Sequence, residues 1–122
     1  MPKFIEMDEN VTLSMQMEEK GGPVILINKF TLVLNEVEPI LQAWAEHAAF
    51  MKRQSGFISA QLHRGIGGSC VFINYGVWES VEDFKRAFTH PESQALSKHY
   101  PPSLVASPHL FKKVAVPRIC VV

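Results

Sequence analysis

Apolar residues recur along this chain in two rhythms, at alternate positions and at every third or fourth, and the points where the rhythm changes predict its elements. Residues 24–34 are apolar and rich in β-branched side chains, which predicts a first core strand. Asn35 followed by Glu38, with Pro39 just after, marks a helix start. Ile40, Leu41, Trp44, Ala45, Ala48 and Met51 then fall at helical spacing until Gln54-Ser55-Gly56 stops the pattern. Residues 57–64 read as a second strand, 65–69 as a glycine-rich hairpin loop and 70–78 as a third strand. Ser80 with Asp83 opens a second helix, which breaks at His90-Pro91, resumes to about His99 and ends at Tyr100-Pro101-Pro102. Residues 109–116 supply a fourth strand.

The order β-α-β-β-α-β is the split βαβ arrangement, an α+β ferredoxin-like fold. Right-handed crossovers place the first and third strands side by side in an antiparallel sheet, with both helices on one face. The other face carries Ile25 and Ile27 beside Ile73, Tyr75 and Val77. Left bare, it would exceed the apolar patch that monomers usually expose, so a homodimer packed sheet to sheet is expected. Residues 23–117 form this domain and 118–122 a short tail. Lys20-Gly21-Gly22-Pro23 sets off residues 1–22 as an arm, in which the alternating stretch 11–17 predicts one extra strand.

Composition narrows the function more by exclusion than by indication. Twelve basic and twelve acidic residues, interspersed along 122 positions, leave no electrostatic footprint for nucleic acid or an anionic membrane. No stretch approaches the ~20 apolar residues of a membrane span, and the first residues lack the apolar run of a signal peptide, so a cytoplasmic location is expected. Cys70 and Cys120 are far apart and read as free thiols. The five histidines show no HxH or HExxH spacing, so no metal site is expected. Gly65-Ile66-Gly67-Gly68 joins strand to strand and so is not a phosphate loop.

The third strand holds the chemistry. Alternation puts Asn74, Gly76 and Trp78 on one face, and Gly76 leaves room between an amide and an indole for a flat ligand. Asn28 sits on the neighbouring central strand and can join Asn74 in one polar spot or serve a nearby backbone group. His47 shares a helix face with Trp44 and Met51, while His63 ends the second strand on the face expected for Phe57, Ser59 and Gln61. Either imidazole can serve as a base near neutral pH if it reaches the cleft.

The element order, the stretch Gln54-Ser55-Gly56-Phe57-Ile58-Ser59-Ala60-Gln61-Leu62-His63-Arg64, and Val77-Trp78-Glu79-Ser80 followed by Phe84 and His90-Pro91-Glu92 resemble the antibiotic biosynthesis monooxygenase family of dimeric α/β barrels. The resemblance spans roughly residues 23–117. It implies a homodimer and, in the cofactor-independent members, oxygenation of phenols or quinols by O₂ with no bound cofactor. Their Asn and Trp four apart on the third strand match Asn74 and Trp78, while a Tyr and an Arg of those members fall near Phe84 and Lys98 here. The resemblance implies catalytic roles for Asn74 and Trp78 and substrate contacts near Phe84 and Lys98, and the reading of the residues adds His63 as a catalytic candidate and Asn28, His47 and His99 as candidate substrate contacts. Haem-degrading members suggest an alternative in which Asn28 matches, the helix Trp becomes Ala87, and the axial His position falls near Ser97, two residues from His99. A third outcome is a non-catalytic barrel that binds a small hydrophobic molecule.

Overall fold

The computed structural model describes residues 2–122. In chain order its elements are β1 (Lys3–Phe4), α1 (Leu13–Gln16), β2 (Val24–Thr31), a 3-10 turn (Leu34–Glu36), α2 (Val37–Lys52), β3 (Phe57–Arg64), β4 (Val71–Trp78), α3 (Val81–Phe88), α4 (Pro91–Ser97) and β5 (Val105–Phe111). The strands form one sheet in the order β1-β5-β2-β4-β3, with β1 parallel to β5 and every other pairing antiparallel. β2 and β4 lie side by side, Val24 opposite Trp78, Leu26 opposite Gly76, Asn28 opposite Asn74 and Phe30 opposite Phe72. Those residues point toward the helices. Ile25, Ile27, Ile73, Tyr75 and Val77 point to the other face.

The turn chemistry works largely as the sequence predicts. Ser80 caps α3, its hydroxyl accepting from the Asp83 backbone N–H at 3.0 Å and donating to the Asp83 carboxylate at 2.8 Å. His90 caps α4 through Nδ1, which accepts from the Glu92 N–H at 3.0 Å, and Pro91 occupies the first helical turn. At the other helix start, Asn35 lies inside the 3-10 turn and makes no cap; α2 begins after Glu36 without a side-chain cap.

Two elements depart from expectation. The fourth strand is Val105–Phe111 and not 109–116. Pro108 reads as a breaker in sequence, yet Ala106 and Leu110 on either side turn their backbone groups to the sheet edge, and by alternation Pro108 does too, so its missing N–H removes no ladder bond. The arm's strand is Lys3–Phe4, and the alternating stretch 11–17 is instead a single helical turn capped by Thr12. That turn buries Leu13 in the core and aims Gln16 at the edge of β5. The Gln16 amide accepts from the Leu110 N–H and donates to the Leu110 carbonyl, both at 2.9 Å, which copies a strand's pairing with one side chain.

The core divides into two clusters. One gathers Leu13, Val24, Leu26, Trp78, Val81, Phe84, Ala87 and Leu110; the other gathers Phe30, Leu32, Ile40, Ala43, Phe72, Tyr100, Leu104 and Ala106. The helix-facing row of the sheet passes from one to the other through Asn28, Asn74 and Gly76, which supply little apolar surface. The interruption makes the site.

Candidate functional site

A cavity of about 170 Å³ opens between sheet and helices where the two clusters meet. It is comparable to the ~150 Å³ apolar hole that admits benzene. Its long axis follows β2 and β4: Val24, opposite Trp78, and Phe30 are six residues apart, about 20 Å along a strand. Phe57, Trp78, Phe84 and Phe88 wall one end, and Phe30, Tyr100, Leu104 and Ala106 the other. Trp78 meets Phe57 edge-on at 5.4 Å between ring centroids and Phe84 at 5.9 Å, so the indole is fixed in orientation.

Polar groups gather at the waist. Asn28 and Asn74 are directly cross-strand neighbours, and both line the cavity. Their situations differ. The Asn28 Oδ1 accepts from the Ser107 backbone N–H at 3.0 Å, whereas the Asn74 Oδ1 is buried and has no hydrogen-bond partner among the described residues. On the helix side, Trp44 packs with the Phe30 end and Met51 with the Trp78 end, so His47 between them stands level with the asparagine pair. Its Nε2 lies 2.7 Å from the Oγ of Ser93, itself 1 % exposed. Burial pushes the His47 imidazole below its usual 6.5, which favours the neutral ring. Burial likewise pushes the nearby Tyr100 phenol up, so it stays protonated.

The cavity thus brings together Asn74, Trp78, Asn28, His47 and Phe84. His63 is not among its walls. The register slips between Phe57 and Ser59, where Ile58 is the extra residue of a bulge, so Phe57 faces Trp78 while Ser59, Gln61 and His63 turn to the other face of the sheet. There His63 is exposed and stands edge-on to Tyr75 at 6.5 Å. Lys98 and His99 also lie outside: both are exposed past the end of α4, and the Nδ1 of His99 pairs with the Glu46 carboxylate at 3.0 Å. Ser97, two positions earlier, does line the cavity, as a turn of about 200° over two helical residues requires. Ser93, Tyr100 and the arm residues Pro2 and Phe4 complete the walls without any mark in the sequence, because each depends on a contact across the fold.

Among the described residues no group of His, Cys, Asp or Glu could hold a metal ion, and no helix is long and apolar enough to cross a membrane. Both cysteines are free thiols.

Comparison with known proteins agrees with this fold. No curated protein matches the chain in sequence. Among solved structures, a candidate monooxygenase from Shewanella loihica PV-4 is 32 % identical, with 79 % of this chain and 98 % of that one covered at a TM-score of 0.67. MhuD, in a variant with two manganese protoporphyrin IX molecules per active site, is 26 % identical, covering 77 % and 97 % at 0.63. SnoaB, a cofactor-independent oxygenase from Streptomyces nogalater, shares the fold at 24 % identity, covering 78 % and 96 % at 0.68. The family model described as antibiotic biosynthesis monooxygenase matches residues 23–98. The chain belongs to the antibiotic biosynthesis monooxygenase family.

Proposed function

We propose that this protein is a cofactor-independent monooxygenase that binds a compact phenol or quinol flat in the cavity and oxidises it with O₂. The observation that carries the reading is the Asn74 Oδ1, a buried acceptor with no partner among the described residues, at the waist of a mainly apolar cavity. Such an atom accepts from the substrate hydroxyl as it binds, and the amide N–H of the same side chain donates to the oxyanion once the proton has gone. Trp78 supplies a fixed aromatic wall, and neutral His47 supplies the base that takes the phenolic proton. The phenolate passes electrons to O₂ directly; one oxygen atom becomes the new carbonyl of a quinone, the other leaves as water, and the substrate provides all four electrons. The protein contributes position, a dry site and hydrogen bonds to the oxyanion. A homodimer through the apolar sheet face, as the family implies, would cover the half-buried Ile73, Tyr75 and Val77.

Haem fits these residues less well. The imidazole proposed from sequence, His99, is committed to Glu46 outside the cavity. The deciding experiment is oxygen uptake by metal-free protein over a panel of hydroquinones and phenols, for wild type, Asn74→Ala, Trp78→Ala and His47→Gln, with His63→Ala and His99→Ala as controls outside the cavity. The reading expects turnover that falls at least tenfold in the first three variants and stays unchanged in the controls. A Soret band of stoichiometric hemin, lost in His47→Gln, would replace it with haem binding.

A further inference from the structure

The arm contributes a wall to the cavity that the family does not define. The family match begins at residue 23, yet Pro2 and Phe4 both line the cavity. They stand two residues apart, so strand alternation turns both to the same side. Phe4 sits beside Ala106 on β5, and Ala106 is in turn opposite Phe30 on β2, which places Phe4 at the end of the cavity away from Trp78.

The attachment is specific. The Lys3 N–H donates to the Leu104 carbonyl and the Ile5 N–H to the Ala106 carbonyl, both at 2.9 Å, and the Ser107 hydroxyl donates to the Ile5 carbonyl at 2.7 Å. Farther along the arm, the Glu6 carboxylate accepts from the Leu13 N–H at 2.9 Å, Leu13 is buried, and Gln16 grips Leu110. Five backbone and side-chain hydrogen bonds therefore tie to the β5 side of the domain a segment whose cavity-facing Phe4 is itself 52 % exposed. Core packing does not require that ring; closing the cavity does.

We infer that Phe4 is a specificity-determining residue: the arm closes the end of the cavity opposite Trp78 and restricts it to aromatic substrates of one or two fused rings. The inference rests on the cavity being the substrate site. Longer ring systems, anchored by Asn74 at the waist and Trp78 at one end, would run into Phe4 at the other.

The test reads binding and wall separately, under argon so that no turnover intervenes. 1-Naphthol and the three-ring 9-phenanthrol are titrated against indole fluorescence, since Trp44 and Trp78 both line the cavity, and acrylamide quenching is measured with no ligand. Wild type is expected to bind 1-naphthol more tightly than 9-phenanthrol. Phe4→Ala should weaken 1-naphthol about fivefold, the share of a half-buried phenyl ring, and strengthen 9-phenanthrol, so that the ratio shifts by about tenfold or more, with easier quenching. Ser107→Ala, which removes a pin without altering a cavity wall, should shift the ratio the same way by a smaller factor. Phe4→Trp should keep the wild-type preference or sharpen it. If wild type binds both probes and the Phe4 and Ser107 variants leave the ratio and the quenching unchanged, the inference is overturned while the substrate site stands. If wild type binds neither probe, the substrate site itself falls, and the specificity role with it.

Discussion

Asn28 and Asn74 face each other across two strands, yet replacing each with leucine should change stability in opposite directions. The Asn74 Oδ1 is buried without a partner, a condition that costs about 1–3 kcal/mol. Leucine keeps the branched outline and removes the orphaned acceptor, so Asn74→Leu should gain about 1–2 kcal/mol. Unfolding entropy of roughly 2.1 cal/mol/K per residue over 122 residues makes each kcal/mol worth about 4 °C, so the melting temperature should rise by about 4–8 °C. Asn28→Leu takes away the side-chain acceptor of the Ser107 N–H, held at 3.0 Å. A net hydrogen-bond contribution of about 0.5–1.5 kcal/mol gives, by the same arithmetic, a loss of about 2–6 °C. The assay is thermal unfolding by circular dichroism at fixed pH, paired with oxygen uptake, and both variants should lose turnover. A stabilised, inactive Asn74→Leu would mark a group kept for function at the expense of the fold. If Asn74→Leu melts several degrees below wild type, Asn74 is a structural residue and the proposed site loses its main support.

Gly76→Ala should fold with an unchanged melting temperature, because the added methyl finds only ordinary contacts of 3.8 Å to Leu26, Ser59 and the Trp78 indole nitrogen, but it takes volume from the cavity and should cut kcat/KM by about threefold or more; unchanged kinetics would place the substrate elsewhere. Gly56→Ala should melt at least 8 °C lower in the same assay, since Gly56 has φ +85° and a methyl there meets the Asp83 carboxylate that closes the α3 cap; a smaller loss would show that the cap yields. Burial holds His47 below 6.5, so on acidification the unfolded chain takes up a proton that the folded chain resists, and stability falls from about pH 6.5 downward until the folded-state value is passed. His47→Gln should make that fall shallower in melts between pH 7 and 5, and an identical slope would show that His47 is not the buried group in question. Tyr75→Lys puts a charge in the apolar outer face of the sheet and should shift sedimentation at micromolar concentration from dimer to monomer, whereas a monomeric wild type would dismiss the sheet-to-sheet assembly.

Local signals in the sequence were enough for most of the scaffold, because the features that specify it act over a few residues. The helical period from Ile40 to Met51 marks α2, Ser80 with Asp83 marks the α3 cap, and the strand flanked by Gly56 and the hairpin loop coincides with β3. Alternation along β4 also put Asn74, Gly76 and Trp78 on one face and Tyr75 on the other, as the pairing with β2 shows. The same rule failed one strand away. A single bulged residue at Ile58 reverses every side chain after it, and no residue type announces it, so His63 goes to the outer face and leaves His47 as the cavity's imidazole. Pro108 is compatible with β5 only because its nitrogen faces an edge, and that edge exists only once the sheet order is set. The arm shows the limit most clearly: alternation at 11–17 became one helical turn because Leu13 is the position the core accepts, while Lys3 and Phe4 pair with β5, about a hundred positions away, and Phe4 with Pro2 walls the cavity. Periodicity and capping are local energies and can be read in order along the chain. Which strand forms an edge, where a register slips and which distant side chains share a cavity depend on contacts that only the packed sheet and helices create.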